Sequence, residues 1–284
     1  MKIFKHSIFV TALLALSTLS CDKAEDIVSM PDQTETVTYS VAIDQQTKAL
    51  GEVNSVNYIW CGAYKEDNNN GSLTYTLSSE SLTKVTGSST HCKIEMVRDQ
   101  SYKVVFIGQY FNEGNAEPKP AYHIDEESAK IYMPTNPVTN TDKYDLFTYV
   151  DPVTDFQPRA AKDITLSRRV AQINFIAEQS DLDEAKANGS FPETSKVTLS
   201  SVPESISLLD GTVSDDLVEV EYAKASLANP EKNPIATVFC LAKDSACDVE
   251  VSLYLYKGSN ELKRYTSITI PFKLNYKTNV TVSL

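Results

Sequence analysis

Apolar and polar residues alternate along much of this chain. Val37, Tyr39, Val41 and Ile43 are separated by Thr38, Ser40 and Ala42; Cys92, Ile94 and Met96 are separated by Lys93 and Glu95; Val249, Val251, Leu253 and Leu255 repeat the pattern near the end. A period of two puts every second side chain on one face of an extended backbone, so each run reads as a half-buried β-strand. Further strands are predicted over residues 58–64, 102–109, 144–150, 169–176, 196–200, 218–223, 236–241, 262–270 and 278–284, rich in β-branched and aromatic residues and bounded by turn-forming clusters. One helix is predicted, over residues 182–188: Asp181 can cap the amide of Glu184, Glu184 can reach back, and Gly189 supplies a left-handed stop. Many short strands and a single short helix predict an all-β chain built as antiparallel sandwiches.

The first twenty residues break the pattern. Lys2 and Lys5 precede an apolar run from Ile8 to Leu16, too short to span a bilayer, and the stretch stops at Cys21. Residues 1–20 therefore read as a signal peptide, and the pattern resembles that of bacterial lipoproteins, with Thr18 where Leu is usual. That resemblance makes Cys21 a lipid attachment site, which would hold the protein on a membrane through its acyl chains. A plain secretory signal ending in a disulfide cysteine is the alternative. Residues 21–35 are acidic and polar, a composition that cannot bury enough apolar surface to fold, and read as a flexible tether.

The remaining length suits two domains of ordinary size. Pro152, Pro158 and Ala161 fall in a stretch without sustained alternation, and proline removes ladder donors, so a boundary is expected there, with domains over residues 36–158 and 159–284. No internal repeat relates the halves. The net charge of −12 argues against nucleic acid as a partner.

Catalytic chemistry is sparse. Only His91 and His123 remain once the signal is removed, and His91 and its neighbour Cys92 would point to opposite faces of a strand, so they cannot jointly grip an ion. There is no Gly-x-Ser-x-Gly elbow, no His-Glu-x-x-His helix and no Gly-x-Gly-x-x-Gly phosphate turn. No metal or cofactor is expected, and no enzymatic activity, although 38 acids leave a glycosidase carboxylate pair as a third reading. Fifteen tyrosines keep open a glycan-binding or adhesive role. Four further cysteines, Cys61 and Cys92 in the first half and Cys240 and Cys247 in the second, could close as disulfides in an oxidising envelope or stay as buried thiols.

Several strings carry a family resemblance. Residues Leu166 to Phe175 (LSRRVAQINF), Asp181 to Lys186 (DLDEAK) and Asn275 to Val280 (NYKTNV) resemble the fimbrillin superfamily of Bacteroidetes, the type V pilins, and the first half adds Thr36 to Ile43, Thr47-Lys48-Ala49 and Tyr58 to Tyr64. The resemblance implies two transthyretin-like sandwiches in tandem, exported as a lipoprotein to the outer membrane and cell surface, and partners that are other fimbrial subunits or copies of the chain itself. In that family a trypsin-like protease cuts after a basic residue and a neighbour's strand fills the vacated groove, which would make Lys48, before Ala49, the processing site. Asp22 to Asp26 resembles the acidic export signal of such lipoproteins, and Asp244-Ser245-Ala246 resembles an O-glycosylation signal on Ser245. The closing strand is expected to turn Tyr276 to the core and leave Lys277 and Asn279 wet.

Overall fold

The alternating runs fold as strands that pair across long stretches of sequence. The computed structural model describes residues 33–44, 55–114, 117–227 and 234–284, and residues 32–284 form one compact unit. The first half holds β1 (Thr34–Ile43), β2 (Tyr58–Asn69), β3 (Ser72–Lys84), β4 (Ser89–Val97) and β5 (Tyr102–Gln109). Short pieces follow, β6 (Phe111–Asn112), β7 (Lys119–Pro120), β8 (His123–Asp125) and β9 (Lys130–Tyr132), then β10 (Leu146–Val153) and β11 (Lys162–Arg168). The remainder holds β12 (Val170–Ile176), α1 (Gln179–Ala187), β13 (Thr194–Pro203), β14 (Ser205–Ser207), β15 (Leu217–Ser226), β16 (Ala236–Leu241), β17 (Cys247–Lys257), β18 (Asn260–Phe272) and β19 (Lys277–Thr281). Among the described residues the chain is all-β with one helix.

Seven strands form the first sheet in the order β3-β2-β5-β10-β11-β1-β4. It curls until its two edges meet: the Ser79 hydroxyl on β3 donates to the Glu95 carbonyl on β4 at 2.6 Å, and Ser81 donates to the Lys93 carbonyl at 2.7 Å. The inward side chains of these strands, including Tyr39, Cys61, Cys92, Ile94, Phe106 and Phe147, form one buried cluster. A three-stranded sheet β16-β12-β19 and a four-stranded sheet β15-β13-β17-β18 supply a second core. That second cluster extends onto the back of the first sheet through Trp60, Tyr64, Val105 and Ile107, with Phe111, Tyr122, Ile131 and Met133 filling the space between. Further pairing joins the halves, since β14 pairs with β9.

Two strand pairs are parallel. The first strand, β1, runs parallel to β11, and the last strand, β19, runs parallel to β12. Since β11 and β12 are consecutive, flanking Arg169, both ends of the described β-structure dock on one central ribbon. Side-chain alternation is the same for either direction of pairing, so periodicity could not reveal this.

Local chemistry sets the element ends. Asn70 and Gly71, with φ of 56° and 86°, make the two-residue left-handed turn between β2 and β3, the Asn-Gly arrangement that matches strand twist. The helix stops as expected at Gly189, φ 65°, where Ser190 N–H donates to Ala185 and Gly189 N–H to Lys186, closing a Schellman motif. Its start differs: the N-cap is Glu178, without a side-chain cap bond, and Asp181 lies inside the first turn, where it accepts a bond from the Leu284 amide at 3.3 Å. Burial of Leu182 and Ala185, rather than a capping box, holds this helix.

In β12, Ala171, Ile173 and Phe175 are buried on one face and Val170 and Asn174 on the other, with Asn174 bonded to Asn279 of β19 and Thr237 of β16 on either side. One expectation about facing is corrected. Tyr276 is 54% exposed. It lies in the turn before β19, after Asn275 at φ 61°, and its ring sits under the Lys273 ammonium at 5.1 Å rather than in the core.

Candidate functional site

The strand that begins the described structure lies between two others in its sheet. Over its whole length β1 pairs antiparallel with β4, from Thr34 opposite Val97 to Ala42 opposite Ser89. Its second half pairs on the other side as well, from Tyr39 opposite Lys162 to Ile43 opposite Leu166. The sequence alternation explains why it is held: Val37, Tyr39 and Val41 are 2%, 0% and 1% exposed, each contributing on the order of 1.5–3 kcal/mol by burial. Thr38 and Ser40 face outward.

Tyr39 anchors the centre of the strand. Its hydroxyl donates to Asp151 Oδ2 at 2.9 Å and accepts from Arg159 Nη2 at 2.6 Å. Asp151 is buried and also accepts from Arg159 at 2.9 Å and from Lys162 Nζ at 2.7 Å. A buried carboxylate is tolerated only when paired and hydrogen-bonded, and here two cations and a phenol satisfy it. Burial, then the Asp151 charge, push the Tyr39 pKa well above its ordinary value. The ring packs edge-on against Phe106 with centroids 4.8 Å apart. At the start of the strand, Glu35 pairs with Arg98.

Everything that grips Tyr39 therefore belongs to β5, β10, β11 and the segment joining the last two, all of which remain if β1 departs. Asp151 would keep both cations, while the walls lined by β4 and β11 would present unpaired backbone groups and the pockets left by three side chains. At the far end, Val41 and Ile43 line a small cavity of about 80 Å³ with Val56, Val85 and Thr90. Lys48 and Ala49 follow β1 in sequence and precede β2; they and Cys21 lie outside the described residues.

The other singled-out residues fall elsewhere. Cys61 and Cys92 are buried on β2 and β4 in the first core, Cys240 is buried on β16, and Cys247 is half-buried at the start of β17; all four are free thiols in this structure. Burial, then Cys92, raise the pKa of Cys61, and burial, then Cys247, raise that of Cys240. Ser245 is exposed between β16 and β17. His91 is exposed and Cys92 buried, as the facing rule requires, while exposed His123 stacks on Tyr132 with centroids 6.3 Å apart. Among the described residues, no three His, Cys, Asp or Glu side chains converge to hold a metal ion. Sequence inspection missed Asp151, Arg159 and Lys162; one acid among 38 carries no signal until a strand brings a buried phenol to it.

These features define an all-β protein whose N-terminal strand is lodged between two later ones. The chain belongs to the family described as Family of unknown function (DUF6562), which it matches over residues 27–284. Among solved structures it is similar to a fimbrial assembly protein from Parabacteroides distasonis, at 14% identity over 88% of this chain and 91% of that one, TM-score 0.43. It is also similar to the fimbrial anchor protein Mfa2 from Porphyromonas gingivalis, at 14% identity over 82% of each chain, TM-score 0.46. No curated protein matches the sequence.

Proposed function

We propose that this protein is a fimbrillin-like surface lipoprotein or fimbrial subunit that performs no reaction and joins its partners by β-strand exchange. The observation that carries this reading is the position of β1: first in the sheet-forming sequence, inserted between β4 and β11, and joined to β2 only through the segment that contains Lys48. Cleavage after Lys48 would leave β1 bound by non-covalent contacts alone. A strand from a neighbour that offered Val-x-Tyr-x-Val spacing would satisfy the same ladder groups and the same pockets, which is the energetics of β-augmentation.

Lipid on Cys21 would hold the uncut form on the outer membrane, facing outward, and processing would release the body for assembly into a fimbrium. Partners are then other fimbrial subunits or further copies of the chain, with host or microbial glycans and proteins as adhesion targets. The two-domain organisation, disulfide closure of Cys61 with Cys92 and of Cys240 with Cys247, and O-glycosylation at exposed Ser245 belong to the same reading.

Treatment of the purified mature protein with a trypsin-like protease tests it. Expected is a single early cut after Lys48 followed by loss of residues 21–48 and growth of oligomers on size exclusion. Monomer that persists after complete cleavage and loss of β1 overturns strand exchange. A monomer that binds glycans on an array without oligomerising would favour the adhesive lipoprotein instead.

A further inference from the structure

A cleft of about 390 Å³ lies between the β6-β7 hairpin and the segment from Pro134 to Tyr144, within the size range of small-ligand sites, about 300–1,000 Å³. Pairing of Phe111 with Pro120 and of Asn112 with Lys119 sets the hairpin register. Side chains alternate across a strand, so burial of Phe111 turns Tyr110 and Asn112, with Lys119 and Ala121 opposite them, toward the cleft they line. The facing wall is fixed as well. The Tyr144 hydroxyl accepts a bond from the Val138 amide at 3.1 Å, and its ring is edge-on to both Tyr122 and Tyr222, with centroids 6.4 Å apart in each pair.

The cleft runs against the charge of the chain. The sequence has 38 acids against 26 lysines and arginines, yet Lys119 and Lys143 line this cleft and, among the described residues, no Asp or Glu does. Lys84, Lys162, Lys196 and Lys243 each pair with a carboxylate. Among the described residues, Lys119 and Lys143 pair with none. The Lys143 ammonium instead stands 4.6 Å from the centroid of the Tyr110 ring, which holds it against the cleft wall.

We propose that this cleft binds an anionic carbohydrate, a short stretch of glycan that carries uronic acid carboxylates. The two unpaired ammoniums would supply charge-assisted hydrogen bonds to the acid groups. Asn112, Thr135 and Asn136 also line the cleft, and their amides and hydroxyl both donate and accept, as ring hydroxyls do. Tyr110, Tyr144 and Pro134 give apolar surface for the C–H face of a pyranose. A neutral sugar would leave both cations unmatched, and an acidic peptide side chain would leave the amides and the hydroxyl without partners. The proposal gives a ligand class to the adhesion targets named above and rests on that reading for its setting at the cell surface. It requires no strand exchange.

Calorimetric titration of the uncut mature protein with digalacturonate, with neutral galactobiose and with acetyl-Glu-Gly-Glu-amide tests it. Expected is saturable binding of digalacturonate, at least about tenfold tighter than galactobiose, which lacks the charge-assisted bonds. Affinity should fall as salt is raised, because both ammoniums are exposed to solvent. Lys119→Gln/Lys143→Gln should bring digalacturonate down to the galactobiose level without lowering the unfolding midpoint. Lys93→Gln/Lys186→Gln, which removes two other exposed lysines, should leave binding unchanged and so separates this cleft from general charge. No binding of digalacturonate, equal binding of galactobiose, tighter binding of the acidic peptide, full affinity in the Lys119/Lys143 variant or an equal loss in the Lys93/Lys186 variant would each overturn the assignment. Because the protein stays uncut, any of these results leaves strand exchange to its own protease test.

Discussion

The hydroxyl of Tyr39 reaches the carboxylate of Asp151 at 2.9 Å across 112 residues of sequence. The bond ties the first strand to β10, its neighbour beyond β11, and sets a specific feature at the centre of an otherwise generic run of alternating side chains. Tyr39→Phe removes the bond and leaves ring packing intact. Asp151 keeps Arg159 and Lys162, so the expected cost is about 1.5–3 kcal/mol, the usual range for one hydrogen bond to a charged group. Urea denaturation near neutral pH measures it. If strand exchange operates, the same variant should also release β1 faster after cleavage at Lys48.

Stability should fall at alkaline pH. Burial holds Tyr39, Tyr64, Tyr122 and Tyr222 above the ordinary tyrosine value of 10.0. In the unfolded chain these groups ionise near pH 10, whereas in the folded protein they stay protonated. The unfolded state then binds fewer protons, so the stability is fully present below about pH 10 and lost above it, by about 1.4 kcal/mol per pH unit for each group. Cys61 and Cys240 act in the same direction from their ordinary value of 9.0. Tyrosinate absorbance on a pH ramp is expected to show four residues titrating only with unfolding. Tyr64→Phe should reduce the slope by one proton; an unchanged slope would contradict the placement of that ring.

Thiol reactivity should divide the cysteines by depth. In a chain that begins after Cys21, Cys247 is expected to react with Ellman's reagent in the native state, because it alone among the four is not fully buried. Cys61, Cys92 and Cys240 should react only on unfolding, and burial adds to their inertness by raising their pKa values. A non-reducing unfolded sample that gives no free thiol would show both pairs closed as disulfides.

Gly62→Ala should disturb the sheet's outer face. The added methyl would lie 2.2 Å from the Trp60 ring, too close for the indole to stay where it is. Displacement costs about 1–3 kcal/mol, as for other overpacked sites, and the Trp60 emission should shift to the red as the ring becomes wetter. An unshifted spectrum with full stability would mean that the indole does not lie across that glycine.

Strand runs were legible where one face is apolar and the other polar. The run from Tyr102 to Gln109 and that from Ala236 to Leu241 have the expected bounds, and Val249, Val251, Leu253 and Leu255 are all buried. β3 was not foreseen, because Ser72 to Lys84 is mostly hydroxyl-bearing and lies along one edge of its sheet. The Asn70-Gly71 pair is the signal that would have found it, as the turn of a hairpin whose first arm was already recognised. β11 was also missed. It follows the proline-bearing stretch at residues 152–158 and pairs back with β1 and β10, since prolines mark where a ladder is interrupted but do not say which sheet the next strand joins. The same limit applies to Asp181, whose spacing fits a cap but whose backbone was already helical.

The sequence by itself determined the class of protein and the inward residues of most strands, because a period of two and the burial of apolar side chains are local consequences of covalent geometry and water. The tertiary structure decided the rest. Which strands neighbour each other, the parallel docking of the first and last described strands on β11 and β12, the pairing of Tyr39 with Asp151 and the bond from Trp60 to Glu80 all join residues distant in the chain. Such encounters are set by how sheets curl and pack, and no local pattern of side chains encodes them.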